Sequence, residues 1–240
     1  MDDIGYHHYD KKLLYLPTSI SFAILPHTPF SKQIARLAHQ QKRDILLHLP
    51  MQAYTNNHLL GKGALTLKMK KKVYQKILQA SLLAVPYAIG VNNHMGSQLT
   101  EQPDPMRWTM ELLYKEGYFF VDSRTSQNSI AESSAMIAGL PGLKRDVFLD
   151  NVRTPEAMEK QFQTAIQHSQ RAAHTIIIAH PYPETIQYLS QRLAQPSSHF
   201  QLTTLSQLIP EKQRITLQHK KAEYQQANLI APDITKAQFQ

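Results

Sequence analysis

Short runs of consecutive apolar residues alternate along this chain with longer segments of helical character. Phe22 to Leu25, Ile45 to Leu47, Ala88 to Val91, Phe119 to Val121 and Ile176 to Ala179 are such runs. Strands buried on both faces lack in–out alternation, so these runs predict a largely parallel sheet with helical cover. Strands are expected at 19–25, 44–48, 88–92, 118–122, 146–149, 175–179 and 200–204, and helices at 31–41, 67–85, 104–116, 154–174 and 183–194. The helix from Thr154 carries the clearest start: Thr154 can cap, Pro155 suits the first helical position and Glu156 complements the dipole. Pro103, Asp104 and Pro105 mark a second start. Beyond Pro210 the chain turns Gln- and Lys-rich with little apolar periodicity, so residues 1–210 are read as one domain and 211–240 as a polar tail, flexible or helical.

The polar residues fall where the apolar runs stop. Ile45 to Leu47 lead into His48, Ala88 to Val91 into Asn92, Asn93 and His94, Phe119 to Val121 into Asp122, and Ile176 to Ala179 into His180. In parallel α/β folds the loops beyond the carboxyl ends of strands share one rim, where sites are built. One histidine there is commonly a loop anchor. Three on separate strands, with Asp2, Asp3 and Asp122 on the same rim, supply the nitrogen and oxygen donors that zinc or another divalent ion takes. Adjacent Asp2 and Asp3 can divide the work, one as ligand and one as proton acceptor, or they can cap a turn in which Gly5 adopts positive φ. Asn92, Asn93 and Ser97 around His94 offer short polar groups for a substrate carbonyl or hydroxyl, or for a tight loop. Asp122 and Arg124 can pair, orient a histidine or hold an anion.

Composition narrows the choices. The chain has 240 residues, 42% of them hydrophobic, enough for one large core. With no cysteine, disulfides, thiolate catalysis and Cys-ligated zinc are excluded. The formal charge of +8 suits an acidic partner, but the dense run Lys68, Lys70, Lys71 and Lys72 reads as a solvated helix face, and no nucleic-acid-reading motif accompanies it. No apolar stretch has membrane-spanning length, and no signal-peptide pattern leads the sequence.

The strings MDDIGY, HLPMQ, GVNNHMGSQ, DSRT, KRDVFLDN and AHPYPET, in this order, resemble the divergent polysaccharide deacetylase family over about residues 1–210. That resemblance implies a distorted (β/α) barrel of the NodB-like deacetylase type, with a bound divalent metal, most simply zinc. It would make Asp3 a metal ligand, Asp2 the general base, His48 the first histidine ligand and His180 the general acid, with Asp122 orienting His180 or Arg124. Ordinary members carry a second histidine four residues after the first. Here that position is Gln52, and His94 is the substitute ligand expected.

The implied activity is removal of N-acetyl groups from an envelope polysaccharide, in the periplasm or cell envelope. Its rivals are a glycan-binding scaffold on the same fold, and a hydrolase of another ester or amide using Arg124 and Lys144 for an anionic substrate. Because Met1 stands where a strand should already be ending, the first barrel strand is expected to be truncated, leaving Asp2 and Asp3 poorly positioned.

Overall fold

The structure, a computed structural model, describes residues 1–195 and 197–230. Five parallel strands form one sheet in sequence order: β1 (Phe22–Ile24), β2 (Ile45–Met51), β3 (Gly90–Met95), β4 (Phe119–Asp122) and β5 (Leu143–Lys144). A second, two-stranded parallel sheet joins β6 (Val147–Phe148) to β7 (Ile177–Ile178). Residues 1–4 connect the two sheets. Ala23 N donates to Met1 O at 2.8 Å and Leu25 N to Ile4 O at 2.9 Å, while on the other flank Asp2 N donates to Ala179 O at 2.9 Å. The strands thus follow one another around a curved wall, as the distorted (β/α) arrangement requires. The expectation that a chain starting in this motif leaves Asp2 and Asp3 poorly placed is not met, because hydrogen bonds on both flanks fix residues 1–4.

Helices α1 (Ser31–Gln40), α2 (Lys71–Ala84), α3 (Pro103–Glu116), α4 (Ala131–Ile137), α5 (Pro155–Ser169) and α6 (Pro183–Arg192) cover the strands, and α7 (Glu211–Ile230) packs against α3. The cap read at Thr154 is present, with Ala157 N donating to its Oγ1 at 3.3 Å. The core is contiguous, with Ile4, Phe22, Ile24, Leu47, Leu49, Val91 and Phe120 all fully buried. Removing about 2–5 kcal/mol by truncating one of these to alanine is the usual consequence of such burial.

Several boundaries differ from those the pattern suggests. β3 runs on through Asn92, Asn93 and His94 to Met95, and β2 continues three residues past His48, because His48↔Asn92, Leu49↔Asn93 and Pro50↔His94 are in register. His48, Asn92 and His94 thus share one face of neighbouring strands rather than a loop beyond them, and Asn93 lies on the other face. Helix α2 begins at Lys71 rather than 67, since Leu65 forms a bridge with Met51 and leaves the chain extended. Helix α5 ends at Ser169, short of 174. Residues 200–204 form no strand, and α4 and β5 arise where neither was expected. The polar segment after 210 is helical to Ile230; residues 231–240 lie outside the described residues.

Gly117 fixes how α7 docks. It ends α3 in the left-handed conformation at φ 76°, and a β-carbon at this position would collide with the Leu217 carbonyl and the Lys221 amide of α7. A cavity of about 410 Å³ is lined by residues 19–21 and 174–178 together with Phe162, Ile166, Leu189, Asp2 and Asn92.

Candidate metal centre

Asp3 follows the short extended segment 1–2 and takes φ 55°, a left-handed conformation that Asp tolerates better than most residues. That turn aims its carboxylate across the mouth of the wall toward β2 and β3. Asp3 Oδ1 lies 3.0 Å from His48 Nε2 and 2.8 Å from His94 Nδ1, and the three donor atoms fall within 4.8 Å of one another. His48 is held inside β2 and is 2% exposed; His94 projects from β3 with its ring 5.0 Å from that of His48, at 64°.

Asp3 Oδ1 is shielded from solvent and has no hydrogen bond of acceptable geometry despite these two close nitrogens. Three donor atoms converge without satisfying one another, and two imidazoles with one carboxylate are a donor set suited to zinc. The residues fit a divalent ion. Burial alone would raise the Asp3 carboxyl, but the close approach of the His48 and His94 imidazoles outweighs it and holds Asp3 well below the usual carboxylate range. Burial would lower His48, and the opposing charges of Asp2 and Asp3 raise it overall.

His180 enters from beyond β7, with Nε2 3.9 Å from Asp3 Oδ2. Its other face is tied to Asp150, which is 3% exposed: Asp150 accepts from the His180 backbone N at 2.7 Å, lies 3.0 Å from His180 Nδ1, and accepts from Thr185 Oγ1 at 2.9 Å. Burial would lower His180, but the Asp150 hydrogen bond, then Asp3 and Asp2, raise it above its ordinary value. Phe148 stacks on the His180 ring at 5.0 Å, and Tyr182 and Arg153 lie beside it, with the Arg153 guanidinium 4.5 Å from the Tyr182 ring centre.

Asp2, 4% exposed, stands behind Asp3 with Oδ2 accepting from Asn92 Nδ2 at 2.9 Å. Asn92 Oδ1 in turn lies 2.8 Å from His48 Nδ1. Asp2, Asp3, His48, Asn92, His94 and His180 are thus brought together. The other expected residues are differently engaged. Asp122 is fully buried and accepts from the Arg124 backbone N at 2.8 Å and from Ser129 Oγ at 2.7 Å, so it braces the loop after β4; the carboxylate partner of His180 is Asp150, not Asp122. Arg124, at φ 50°, meets Asp122 through its amide and not its guanidinium, which reaches Gln127 O at 3.5 Å.

Asn93 is buried, with Oδ1 accepting from Ser123 N at 2.9 Å and Nδ2 donating to Met95 O at 2.7 Å; Ser97 Oγ accepts from Tyr54 N at 3.2 Å. Both serve the backbone around the site. Gln52 is likewise used, its Nε2 donating to Gln98 Oε1 at 2.8 Å and its Oε1 accepting from Leu67 N at 2.9 Å. Lys144 pairs with Glu132 at 3.0 Å. Asp150, the carboxylate that meets His180, is absent from the sequence expectations, although the apolar run Val147, Phe148, Leu149 ending in an acid is the same signal that marks Asp122.

The protein is thus a parallel α/β wall with a histidine–carboxylate cluster at one mouth. The chain belongs to the divergent polysaccharide deacetylase family, whose sequence profile matches residues 1–209. It is 35% identical over 214 residues to the uncharacterized protein YibQ of Escherichia coli strain K12, covering 89% of this chain and 67% of that one. It is also 35% identical over 209 residues to an uncharacterized protein of Haemophilus influenzae, covering 87% and 74%. In fold it is similar to the crystal structure of the uncharacterized protein ATU2773 from Agrobacterium tumefaciens C58, with a TM-score of 0.82, 19% identity and 87% of each chain covered.

Proposed function

We propose that this protein is a metal-dependent hydrolase that removes N-acetyl groups from a polysaccharide of the cell envelope, with Asp3, His48 and His94 holding the ion. The observation that carries the proposal is the convergence of Asp3 Oδ1, His48 Nε2 and His94 Nδ1, with Asp2 on one side and the His180–Asp150 pair on the other. Family membership supports deacetylase-like chemistry on a carbohydrate. The mixed nitrogen and oxygen donors favour zinc.

A bound divalent ion supplies Lewis-acid polarisation of the amide carbonyl and a lowered pKa for water. Asp2 is the base that accepts the proton of the attacking water, and Asn92 keeps its carboxylate aimed. His180, its Nδ1 turned to Asp150, presents Nε2 to the reacting side and donates the proton that lets the sugar amine leave, so that amide and water become acetate and amine. Arg153 over Tyr182, with Phe148 against His180, lines the approach with flat faces suited to sugar rings.

Gln52 stands where ordinary family members have a ligand, but its amide is spent on Gln98 and Leu67 and His94 fills the triad. The test is acetate release from N-acetylated chito-oligosaccharides and from envelope glycan by zinc-loaded protein, against Asp2→Asn and His180→Ala. Release in the wild type, lost by about two orders of magnitude in either variant, supports the proposal. Zinc-loaded protein without acetate release from any N-acetylated glycan would refute it in favour of a binding scaffold.

A further inference from the structure

We infer that Asn92 is a positioning residue that orients the His48 ring as an Nε2 ligand while holding Asp2 in place as the base. The inference rests on the metal-centre reading above and assigns Asn92 a role other than contacting substrate. Asn92 Nδ2 donates to Asp2 Oδ2 at 2.9 Å and to Ser123 Oγ at 3.3 Å. That orientation points the amide oxygen at His48 Nδ1, 2.8 Å away, and an amide oxygen can only accept, so His48 Nδ1 carries a hydrogen. In the neutral ring the lone pair then lies on Nε2, which faces the carboxylate oxygen Asp3 Oδ1 at 3.0 Å.

Two acceptors at that separation repel unless a cation lies between them. A second proton on the imidazole serves in the metal-free protein and a divalent ion in the loaded one. Asn92 is 3% and Asp2 4% exposed, so in the folded chain their polar groups are paired chiefly with each other, with His48 and with Ser123. Its register opposite His48 in the β2–β3 ladder explains how the contact is maintained. Imidazole ligands depend on such a partner at the far nitrogen for both orientation and basicity, and losing one typically weakens metal binding about 10–100-fold.

The two halves of the role can be separated. Asn92→Asp keeps an acceptor for His48 but sets a second carboxylate against Asp2. Asn92→Leu removes the hydrogen bonds to His48, Asp2 and Ser123. With zinc alone as the probe, Asn92→Leu is expected to bind about 10–100-fold more weakly than wild type. Asn92→Asp is expected to stay within a few-fold of wild-type zinc affinity while losing at least about tenfold in acetate release. Because Asn92→Leu can fail to fold, the wild-type protein gives a direct reading: long-range 1H–15N spectra of the zinc-loaded form should show His48 protonated at Nδ1 and coordinated through Nε2. Coordination through Nδ1, or wild-type zinc affinity in a folded Asn92→Leu, overturns the inference and leaves the metal centre standing. A wild-type protein that takes up no zinc overturns both.

Discussion

Replacing Asp150 by asparagine isolates the support of His180. Asp150 is buried and makes three hydrogen-bonded contacts, with the His180 amide, His180 Nδ1 and Thr185 Oγ1. An asparagine can keep its oxygen toward the two donors on one side, but its NH2 then faces His180 Nδ1 and cannot accept from an imidazolium. One charge-assisted hydrogen bond is lost, worth about 1.5–3 kcal/mol, which corresponds to roughly 10–150-fold in the equilibrium that protonates His180. The His180 pKa, raised in the native protein by Asp150, Asp3 and Asp2 against the effect of burial, should therefore fall.

The sign for stability follows. A raised histidine stabilises the fold fully below its unfolded pKa of about 6.5 and ceases to do so as pH rises through its folded value. Asp150→Asn should thus cost more stability at pH 5 than at pH 9. The assay is NMR titration of the His180 ring in the metal-free protein, paired with denaturant unfolding at both pH values. An unchanged His180 titration in a folded variant, or a stability loss independent of pH, would refute the reasoning.

Other expectations concern separate parts of the molecule. Gln52→Ala should leave zinc affinity within a few-fold of wild type, while His94→Ala should lose more than about 100-fold, read by isothermal titration; the reverse order would restore Gln52 as the ligand position. Gly117→Ala should destabilise by at least about 1 kcal/mol from its positive φ alone, with more from the collision with α7, and should expose the 211–230 segment to proteolysis. Burial lowers Lys221 to about 7 where its ammonium sits 3.8 Å from the Tyr118 ring centre and donates to Ala88 O. Between that value and the ordinary lysine value of 10.5 the unfolded chain binds more protons, so stability should rise with pH across this window, and Lys221→Met should flatten the rise in denaturant unfolding.

The strands were legible where burial made the chemistry monotonous. Ile45 to Leu47 and Phe119 to Val121 are apolar on every position because both faces are covered, and each became a strand. The same rule fails at Asn92, Asn93 and His94, which continue β3: Asn92 and His94 meet Asp2, His48 and Asp3 on one face, while Asn93 on the other bonds the Ser123 amide and the Met95 carbonyl. His48, His94 and His180 could be picked out as donors at or just past the ends of apolar runs, and Asp3 from the family resemblance, yet which carboxylate meets His180 depends on the fold bringing Asp150 to residue 180, a contact that local sequence does not encode. Helix α7 carries little apolar periodicity; its placement depends on the gap left by Gly117 and on a lysine docked over Tyr118. Helix α4, seven residues with two serines, has too weak an intrinsic preference to register before its Ala131 and Ala135 are seen packed in the core.

The most direct test of the metal-centre proposal is crystallography of zinc-soaked protein with data on both sides of the zinc absorption edge. The account predicts one anomalous peak about 2.0–2.2 Å from Asp3 Oδ1, His48 Nε2 and His94 Nδ1. Fully occupied zinc elsewhere, with Asp3, His48 and His94 bonded only to one another, would contradict it.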